Sequence, residues 1–264
     1  MQDLNIALVQ SDLVWEAPEK NRANFDRKLE EIDTEVDLII LPEMFNTGFS
    51  INPGKIAEPE EGPTFEWMKL KARENNCTIT GSILTNSGGK NFNRLYWVNA
   101  DGSFSSYDKR HLFRLSTEWK VFSQGIRKVI VNLNGWNILP LVCYDLRFPV
   151  WSKNRYIDGE YEYDALIYIA NWPVARKYAW KHLLIARAIE NQAYVAGVNR
   201  VGQDGNGIHH SGNSMALDAK GQIIAQADPH NEEIVYTQFS YDELTAFREQ
   251  FTIGPDWDGF EIRI

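Results

Sequence analysis

Three reactive side chains in this sequence follow apolar, strand-like segments. Glu43 comes two residues after the nearly all-apolar run 37–41, and Cys143 directly follows the apolar run 136–142, while Lys109 follows a third such segment. Because ligands of α/β folds bind at the edge of the sheet where strands end, we expect these side chains to lie close together. A thiol, a carboxylate and an ammonium in one place are the parts of a nucleophilic site.

The setting of Cys143 favours a nucleophile over a core residue. A cysteine in an apolar strand is most often a small hydrophobic side chain, but here the apolar run breaks abruptly into the polar, turn-forming residues 144–149. That change is typical of a nucleophile on a sharp turn between a strand and a helix. A free thiol is only about 3% thiolate at pH 7, and a helix N-terminus or the nearby Lys109 could raise that fraction. Cys77 has no such surroundings and is interpreted as structural.

Glu43 and Lys109 each have an ordinary interpretation as well, a turn-capping carboxylate and a solvated surface charge. In an apolar setting, however, a carboxylate acts as a general base, and a fixed ammonium stabilises developing negative charge. His111 is an alternative base, because Cys–His pairs are common, but we interpret it as structural. The adjacent His209 and His210 lack a third ligand, so neither a metal nor another cofactor is predicted.

The composition excludes several classes of protein. The chain has 264 residues and no linker-like segment, which favours a single domain over residues 1–264. Its net charge of −9 argues against nucleic acid as a partner. Two cysteines are too few for a disulfide framework, no apolar run is long enough to span a bilayer, and the first residues lack a signal-peptide pattern. We therefore expect a cytoplasmic protein with free thiols and no membrane partner.

Alternating strand and helix patterns predict an α/β fold with helices on the faces of the sheets. The predicted order at the start is strand 4–10, helix from Pro18, strand 37–41, helix from Pro63 and strand 77–84. Farther along, Asn134-Gly135 is a strong hairpin signal between strands 129–133 and 136–143. A core strand over 165–170 and a helix over 178–191 follow.

Together these segments resemble the nitrilase, or carbon–nitrogen hydrolase, superfamily over nearly the whole chain. The motifs that carry the resemblance are Val9-Gln10, Pro42-Glu43, Lys109-Arg110-His111-Leu112-Phe113, Cys143-Tyr144-Asp145-Leu146-Arg147-Phe148-Pro149, Ala170-Asn171-Trp172-Pro173, Arg187-Ala188-Ile189-Glu190-Asn191 and Gly212-Asn213-Ser214. Within the superfamily the chain looks most like the bacterial ω-amidases, which cleave the terminal amide of small 2-oxo acids such as 2-oxoglutaramate and 2-oxosuccinamate.

The resemblance implies a four-layer α-β-β-α sandwich, a homodimer and a thioester mechanism. In that mechanism Glu43 takes the thiol proton and Cys143 attacks the carbonyl carbon. Lys109 and the backbone N–H of Tyr144 hold the oxyanion, ammonia leaves, and water then hydrolyses the thioester. Glu118 matches the second glutamate of the family, which orients the lysine or the substrate.

A small carboxylate-bearing amide is the predicted substrate, and its carboxylate requires a donor such as arginine. We expect Arg114, five residues after Lys109, to be that donor, with Arg147 as the second candidate, although the resemblance suggests that Arg147 is structural. The predicted apolar walls of the pocket are Phe45, Trp119, Tyr144 and Trp172.

Three alternative functions remain open on sequence. A nitrilase or an N-carbamoyl amidohydrolase would use the same triad, since substrate choice depends on the shape of the pocket. A non-catalytic binding protein on the same fold is less favoured, because all three triad residues are present. A thiol redox protein would need a resolving cysteine near Cys143, and Cys77 lies in a different strand context.

Overall fold

Two mixed β-sheets form the middle of the protein in the computed structural model, which describes residues 2–263. In spatial order, the first sheet contains β17 (Glu233–Phe239), β1 (Leu4–Gln10), β2 (Leu38–Ile40), β4 (Thr78–Ser87), β5 (Lys90–Val98) and β6 (Phe104–Asp108), with β3 (Glu58–Pro59) beside β4. The second contains β16 (Ile223–Gln226), β15 (Met215–Leu217), β12 (Tyr194–Asn199), β11 (Ala165–Ala170), β8 (Trp136–Val142) and β7 (Val131–Leu133). Two hairpins lie outside these sheets, β9 (Tyr156–Ile157) with β10 (Glu160–Tyr161), and β13 (Val201–Gln203) with β14 (His209–Ser211).

Over residues 2–263, seven α-helices accompany the sheets. They are α1 (Pro18–Glu30), α2 (Pro53–Ile56), α3 (Pro63–Glu74), α4 (Glu118–Val121), α5 (Pro149–Ser152), α6 (Lys177–Asn191) and α7 (Tyr241–Gln250). Four of them begin with proline, whose missing N–H would have no partner at that position anyway. Within residues 2–263, no helix has both the length and the apolar character needed to cross a membrane.

Alternate side chains of β1 enter two different hydrophobic cores. Ile6 and Leu8 pack in the core between the two sheets, whereas Ala7 and Val9 pack in a second core with α1 and α3. This follows from the two-residue period of a strand, because successive side chains point to opposite faces. Helix α6 covers the outer face of the second sheet. The predicted α-β-β-α sandwich is therefore confirmed.

The predicted hairpin around Asn134-Gly135 is also confirmed. It joins β7 to β8 through a two-residue loop in which both residues have positive φ, 51° and 94°. This backbone matches the twist of the flanking strands, and asparagine followed by glycine adopts it at the least steric cost. By contrast, the sequence patterns did not predict the hairpin of β13 and β14, because its strands are only three residues long.

Strand ends of both sheets converge on one region. Glu43 follows β2 and Lys109 follows β6 in the first sheet, whereas Cys143 follows β8 in the second. The backbone N–H of Lys109 donates to the carbonyl of Asn93 on β5 at 2.9 Å, which extends the β5–β6 ladder by one residue. The three reactive groups thus come from both layers of the sandwich and meet between them.

Candidate active site

Cys143 lies on a sharp turn with strained backbone. It is the first residue of the 3₁₀ helix Cys143–Arg147, and its φ is +44°, a value uncommon for residues other than glycine. The carboxylate of Asp145 accepts a hydrogen bond from the N–H of Val142 at 3.1 Å and so closes the turn. Such strain persists where surrounding contacts impose it, often at functional sites. The sharp turn expected at Cys143 is therefore confirmed, and the thiol is partly exposed to a cavity.

Lys109 is held between two buried carboxylates. Its Nζ donates to Glu43 Oε1 at 2.9 Å and to Glu118 Oε1 and Oε2 at 3.0 and 3.1 Å, and all three side chains are fully buried. Burial by itself would lower the pKa of Lys109, but the charges of Glu118 and Glu43 outweigh it and raise that pKa above its ordinary range. The ammonium is therefore permanently charged, and the structure brings Glu118 to the position that the family resemblance implies.

Two asparagines fix the carboxylate of Glu43. Asn93 Nδ2 donates to Glu43 Oε1 at 2.8 Å, and the backbone N–H of Asn171 donates to Oε2 at 2.8 Å. The side-chain amide of Asn171 also donates to the carbonyl oxygen of Glu43. Neither asparagine was among the predicted site residues. The sequence pattern that could have identified them is a polar residue, Asn93, inside the strand β5 and another, Asn171, directly after the apolar strand β11.

The charges around Cys143 keep its thiol neutral. Burial raises the pKa of Cys143 well above its usual range, and the negative charge of Glu43 raises it further despite the nearby Lys109. Lys109 by itself lowers the pKa of Cys143, as expected, but burial and the charge of Glu43 outweigh its effect. Burial also raises the pKa of Cys77, to about 12, and Cys77 is buried away from the cavity that Cys143 lines.

A cavity of about 220 Å³ opens beside Cys143. Its polar wall is formed by Glu43, Lys109, Ser116, Cys143, Arg147, Asn171, Arg176, Asp204, Asn206 and His210, and its apolar wall by Phe49, Ile51, Phe113, Leu115, Tyr144, Trp172, Pro173 and Ile208. Tyr144 and Trp172 thus lie where the sequence predicted. Phe45 does not, because its ring packs against Phe25 and Trp67 at 5.4 and 5.7 Å between centroids, in the core under α1 and α3.

Arg114 and Trp119 lie outside this cavity, contrary to expectation. They line a neighbouring depression, where the guanidinium of Arg114 lies over the ring of Trp119 at 5.4 Å. The physical reason for the position of Arg114 is the turn that Phe113 and Glu118 close. Glu118 accepts a hydrogen bond from the N–H of Phe113, whose ring lies in the cavity wall, and the next residue, Arg114, follows on the other side. Arg114 is therefore not placed to bind a ligand beside Cys143.

Two other arginines line the cavity. The guanidinium of Arg147 lies 4.9 Å from the ring centre of Trp172, and that of Arg176 lies 5.4 Å from the ring centre of Phe113. Within the described range 2–263, no carboxylate lies within 4.0 Å of either guanidinium. Aromatic faces thus support both cations without neutralising them, and both are available to an anionic ligand.

The histidines take different positions. His111 Nδ1 is 2.8 Å from Asp145 Oδ1 and the ring stacks on Phe148, so its structural interpretation agrees with its contacts. His209 is exposed, but His210 is buried in the cavity wall. Burial, and then the cation of Arg200, lower the pKa of His210 to about 4. Over residues 2–263 no three His, Cys, Asp or Glu side chains are grouped as a metal site would require.

Comparison with known proteins identifies the family. The profile of the carbon–nitrogen hydrolase family matches residues 5–249. The chain is 45% identical over 262 residues to the omega-amidase YafV of Escherichia coli (strain K12), covering 99% of this chain and 100% of that protein. It is 30% identical over 254 residues to a 2-oxoglutaramate amidase of Bacillus subtilis (strain 168), covering 95% and 96% of the two chains.

A solved structure agrees with this assignment. The CN-hydrolase superfamily protein XC1258 of Xanthomonas campestris, crystallised with an arsenic adduct in its active site, superposes with a TM-score of 0.97 at 42% identity, covering 100% of both chains. The fold and the sequence relatives therefore point to the same superfamily. The chain belongs to the carbon–nitrogen hydrolase (nitrilase) superfamily and is a hydrolase of carbon–nitrogen bonds other than peptide bonds.

Proposed function

We propose that this enzyme is an ω-amidase that hydrolyses the terminal amide of a small 2-oxo acid, such as 2-oxoglutaramate or 2-oxosuccinamate. The observation that carries the proposal is one small cavity that holds Cys143, Glu43 and Lys109 together with two arginines, neither of which has a carboxylate within 4.0 Å in the part of the chain that the structure describes. A ligand with a carboxamide at one end and a carboxylate at the other matches both sets of groups. The names of the relatives, omega-amidase and 2-oxoglutaramate amidase, support the same substrate class.

Acylation begins with a neutral thiol. As Cys143 Sγ bonds to the amide carbon, its proton passes to the carboxylate of Glu43 beside it. The carbonyl oxygen gains negative charge, which Lys109 Nζ and the N–H of Tyr144 stabilise. Glu43 then gives its proton to the departing nitrogen, the carbon–nitrogen bond breaks, and ammonia leaves behind a thioester.

Deacylation uses the same groups in the opposite direction. Glu43, again ionised, takes a proton from water, and the water oxygen attacks the thioester carbon. The carbon–sulfur bond breaks, the proton returns to Cys143, and the carboxylic acid product leaves. Glu118 reacts with nothing in this scheme, but it holds Lys109 through two hydrogen bonds and so keeps the ammonium between the base and the oxyanion.

The carboxylate end of the substrate is assigned to Arg147 and Arg176. Each guanidinium lies on an aromatic ring of the cavity wall, so its position is defined before a ligand arrives. A planar guanidinium also matches a carboxylate through paired hydrogen bonds. Arg147, the second candidate from the sequence, therefore replaces Arg114. Nitriles and N-carbamoyl compounds remain the rival substrates of the same triad.

We also propose that the enzyme acts in the cytoplasm as a homodimer, as the family resemblance implies. Apolar side chains on α5 and α6, among them Val150 and Ile189, are more than half exposed and would be covered by a second subunit. Light scattering of the purified protein measures the mass directly, and a monomer at micromolar concentration would overturn the dimer.

Ammonia release from a panel of substrates tests the proposed reaction. The panel contains the two 2-oxo acid amides, the matching amides without a carboxylate, nitriles and N-carbamoyl amino acids. We expect the 2-oxo acid amides to exceed the matching neutral amides by at least ~10-fold in kcat/KM. Equal rates with and without the carboxylate would reject the ω-amidase proposal, and faster turnover of a nitrile or carbamoyl compound would favour the rival activities.

A further inference from the structure

Asn171 lines the cavity, and its side-chain oxygen Oδ1 is a buried hydrogen-bond acceptor. Asn171 is 6% exposed, and its Oδ1 is buried without a hydrogen-bond partner in the described part of the chain. Its orientation is determined, because the amide nitrogen Nδ2 donates to the carbonyl oxygen of Glu43 and the backbone N–H donates to Glu43 Oε2. A buried acceptor without a partner costs free energy, so it needs an explanation.

The position of Asn171 relative to Glu43 identifies the group that this acceptor would meet. Lys109 contacts Glu43 Oε1, and the substrate carbonyl oxygen must face Lys109. The other substituent of the reacting carbon, the nitrogen, then faces the remaining oxygen, Glu43 Oε2, from which it receives its proton. Asn171 bonds that same oxygen through its backbone. A carboxamide nitrogen there carries two N–H groups and would meet two acceptors, Glu43 Oε2 and Asn171 Oδ1.

We infer that Asn171 Oδ1 accepts a hydrogen bond from the substrate carboxamide and thereby selects amides over acyl compounds that lack an N–H. This inference rests on the proposed amidase mechanism and adds a recognition residue to it. An ester or a nitrile presents no N–H at this point and leaves the acceptor unsatisfied. The same contact guides the departing nitrogen, because ammonia still carries N–H groups when the thioester has formed.

Asn93 is a natural control for this role. It also donates to the Glu43 carboxylate and also has a buried Oδ1 without a partner, but it is fully buried and does not line the cavity. Loss of Asn93 therefore disturbs only the base, whereas loss of Asn171 disturbs the base and removes the contact to the leaving group. Both variants are expected to turn over more slowly than the wild type. The informative quantity is therefore the ratio of kcat/KM for an amide to kcat/KM for an ester.

The test compares kcat/KM for a 2-oxo acid amide and for its ω-methyl ester, which form the same thioester. In Asn171→Ala we expect the amide to lose at least ~10-fold more than the ester, and in Asn93→Ala we expect both to fall by the same factor within about twofold. Asn171→Asp keeps an acceptor, so its amide-to-ester ratio should stay within about threefold of the wild-type ratio. Equal losses of amide and ester in Asn171→Ala would overturn the inference.

A second measurement does not depend on the rate of acylation. Hydroxylamine, which carries N–H groups, competes with water for the thioester, and the ratio of hydroxamate to acid reports how well an incoming nitrogen is held. We expect this ratio to fall at least ~5-fold in Asn171→Ala and to stay unchanged in Asn93→Ala. An unchanged ratio in both would sink the role of Asn171. A wild-type enzyme inactive on every amide would instead reject the proposed function itself.

Discussion

The hydroxyl of Tyr107 donates a hydrogen bond of 2.8 Å to Asp145 Oδ2, which ties the end of β6 in one sheet to the turn after β8 in the other. Both residues are fully buried, and the same carboxylate also accepts from the N–H groups of Val142 and His111 at 3.1 and 3.0 Å. Tyr107 precedes Lys109 by two residues and Asp145 follows Cys143 by two. This contact therefore links the segment that carries Lys109 to the turn that carries Cys143.

Replacing Asp145 by asparagine should weaken this link without changing its shape. The amide side chain loses the charge and one acceptor, so we expect unfolding free energy to fall by about 1.5–3 kcal/mol and kcat to fall at least ~10-fold. Tyr107→Phe removes one hydrogen bond, so the unfolding free energy and kcat should both fall, but by less than in Asp145→Asn. Tyr236→Phe, at a half-exposed tyrosine on β17, is the control. Wild-type kcat in Asp145→Asn would show that the link does not position the site.

Alkylation should distinguish the two cysteines and report the charge of Glu43. Iodoacetamide is expected to label Cys143 once, while Cys77 stays unlabelled in the folded protein, and Cys143→Ala but not Cys77→Ala should abolish turnover. Since burial and Glu43 raise the pKa of Cys143, Glu43→Gln should shift the pH profile of alkylation to lower pH although turnover is lost. Preferential labelling of Cys77, or an unshifted profile in Glu43→Gln, would contradict the assignment.

Removing the cation of Lys109 should affect both catalysis and stability. Lys109→Met leaves two buried carboxylates without a cationic partner, so we expect kcat to fall at least ~10²-fold and stability at pH 7 to fall by about 3–5 kcal/mol. The deficit should shrink as the pH is lowered, because the folded variant then gains protons on its carboxylates more readily than the unfolded chain. Lys120→Met, at an exposed lysine of α4, is the matched control. A deficit that grows on acidification would contradict this account.

The carboxylate preference should depend on the arginines of the cavity. Arg147→Ala and Arg176→Ala are each expected to reduce the preference for the 2-oxo acid amide over the neutral amide at least ~5-fold, while the neutral amide is still hydrolysed. Arg114→Ala should leave the preference unchanged, because Arg114 lies over Trp119 in the neighbouring depression. The result that refutes this view is a preference lost in Arg114→Ala and kept in the other two.

His210 should make the protein less stable in weak acid. Its pKa is about 4 in the folded state, against an ordinary value of 6.5, so the unfolded chain takes up a proton below pH 6.5 that the folded chain refuses until about pH 4. The contribution of neutral His210 to the unfolding free energy is complete above pH 6.5. It is lost as the pH falls toward 4, and the loss is about 1–2 kcal/mol at pH 5. His210→Gln should flatten the stability curve over that window, and His209→Gln, at an exposed site, should not. Parallel curves of stability against pH for the wild type, His210→Gln and His209→Gln would disprove this role of His210.

Much of the site followed from the order of residues along the chain. Glu43 and Cys143 each stand where an apolar strand ends, and a strand end in an α/β sandwich lies at the edge where ligands bind. The turn at Cys143 and the loop at Asn134-Gly135 depend on local backbone preferences, which act over a few residues and are therefore visible in the sequence.

Which side chains line the cavity beside Cys143 was decided by tertiary structure. Arg114 is near Lys109 in sequence, yet its side chain lies in another depression, whereas Arg176 comes from a distant loop and lines the cavity. The charge state of Cys143 likewise depends on Glu43 and Glu118, which are far from it along the chain. Residue type and spacing thus indicated which groups could react. Packing between the two sheets decided which of them share one cavity, because orientation and burial depend on neighbours that only folding brings together.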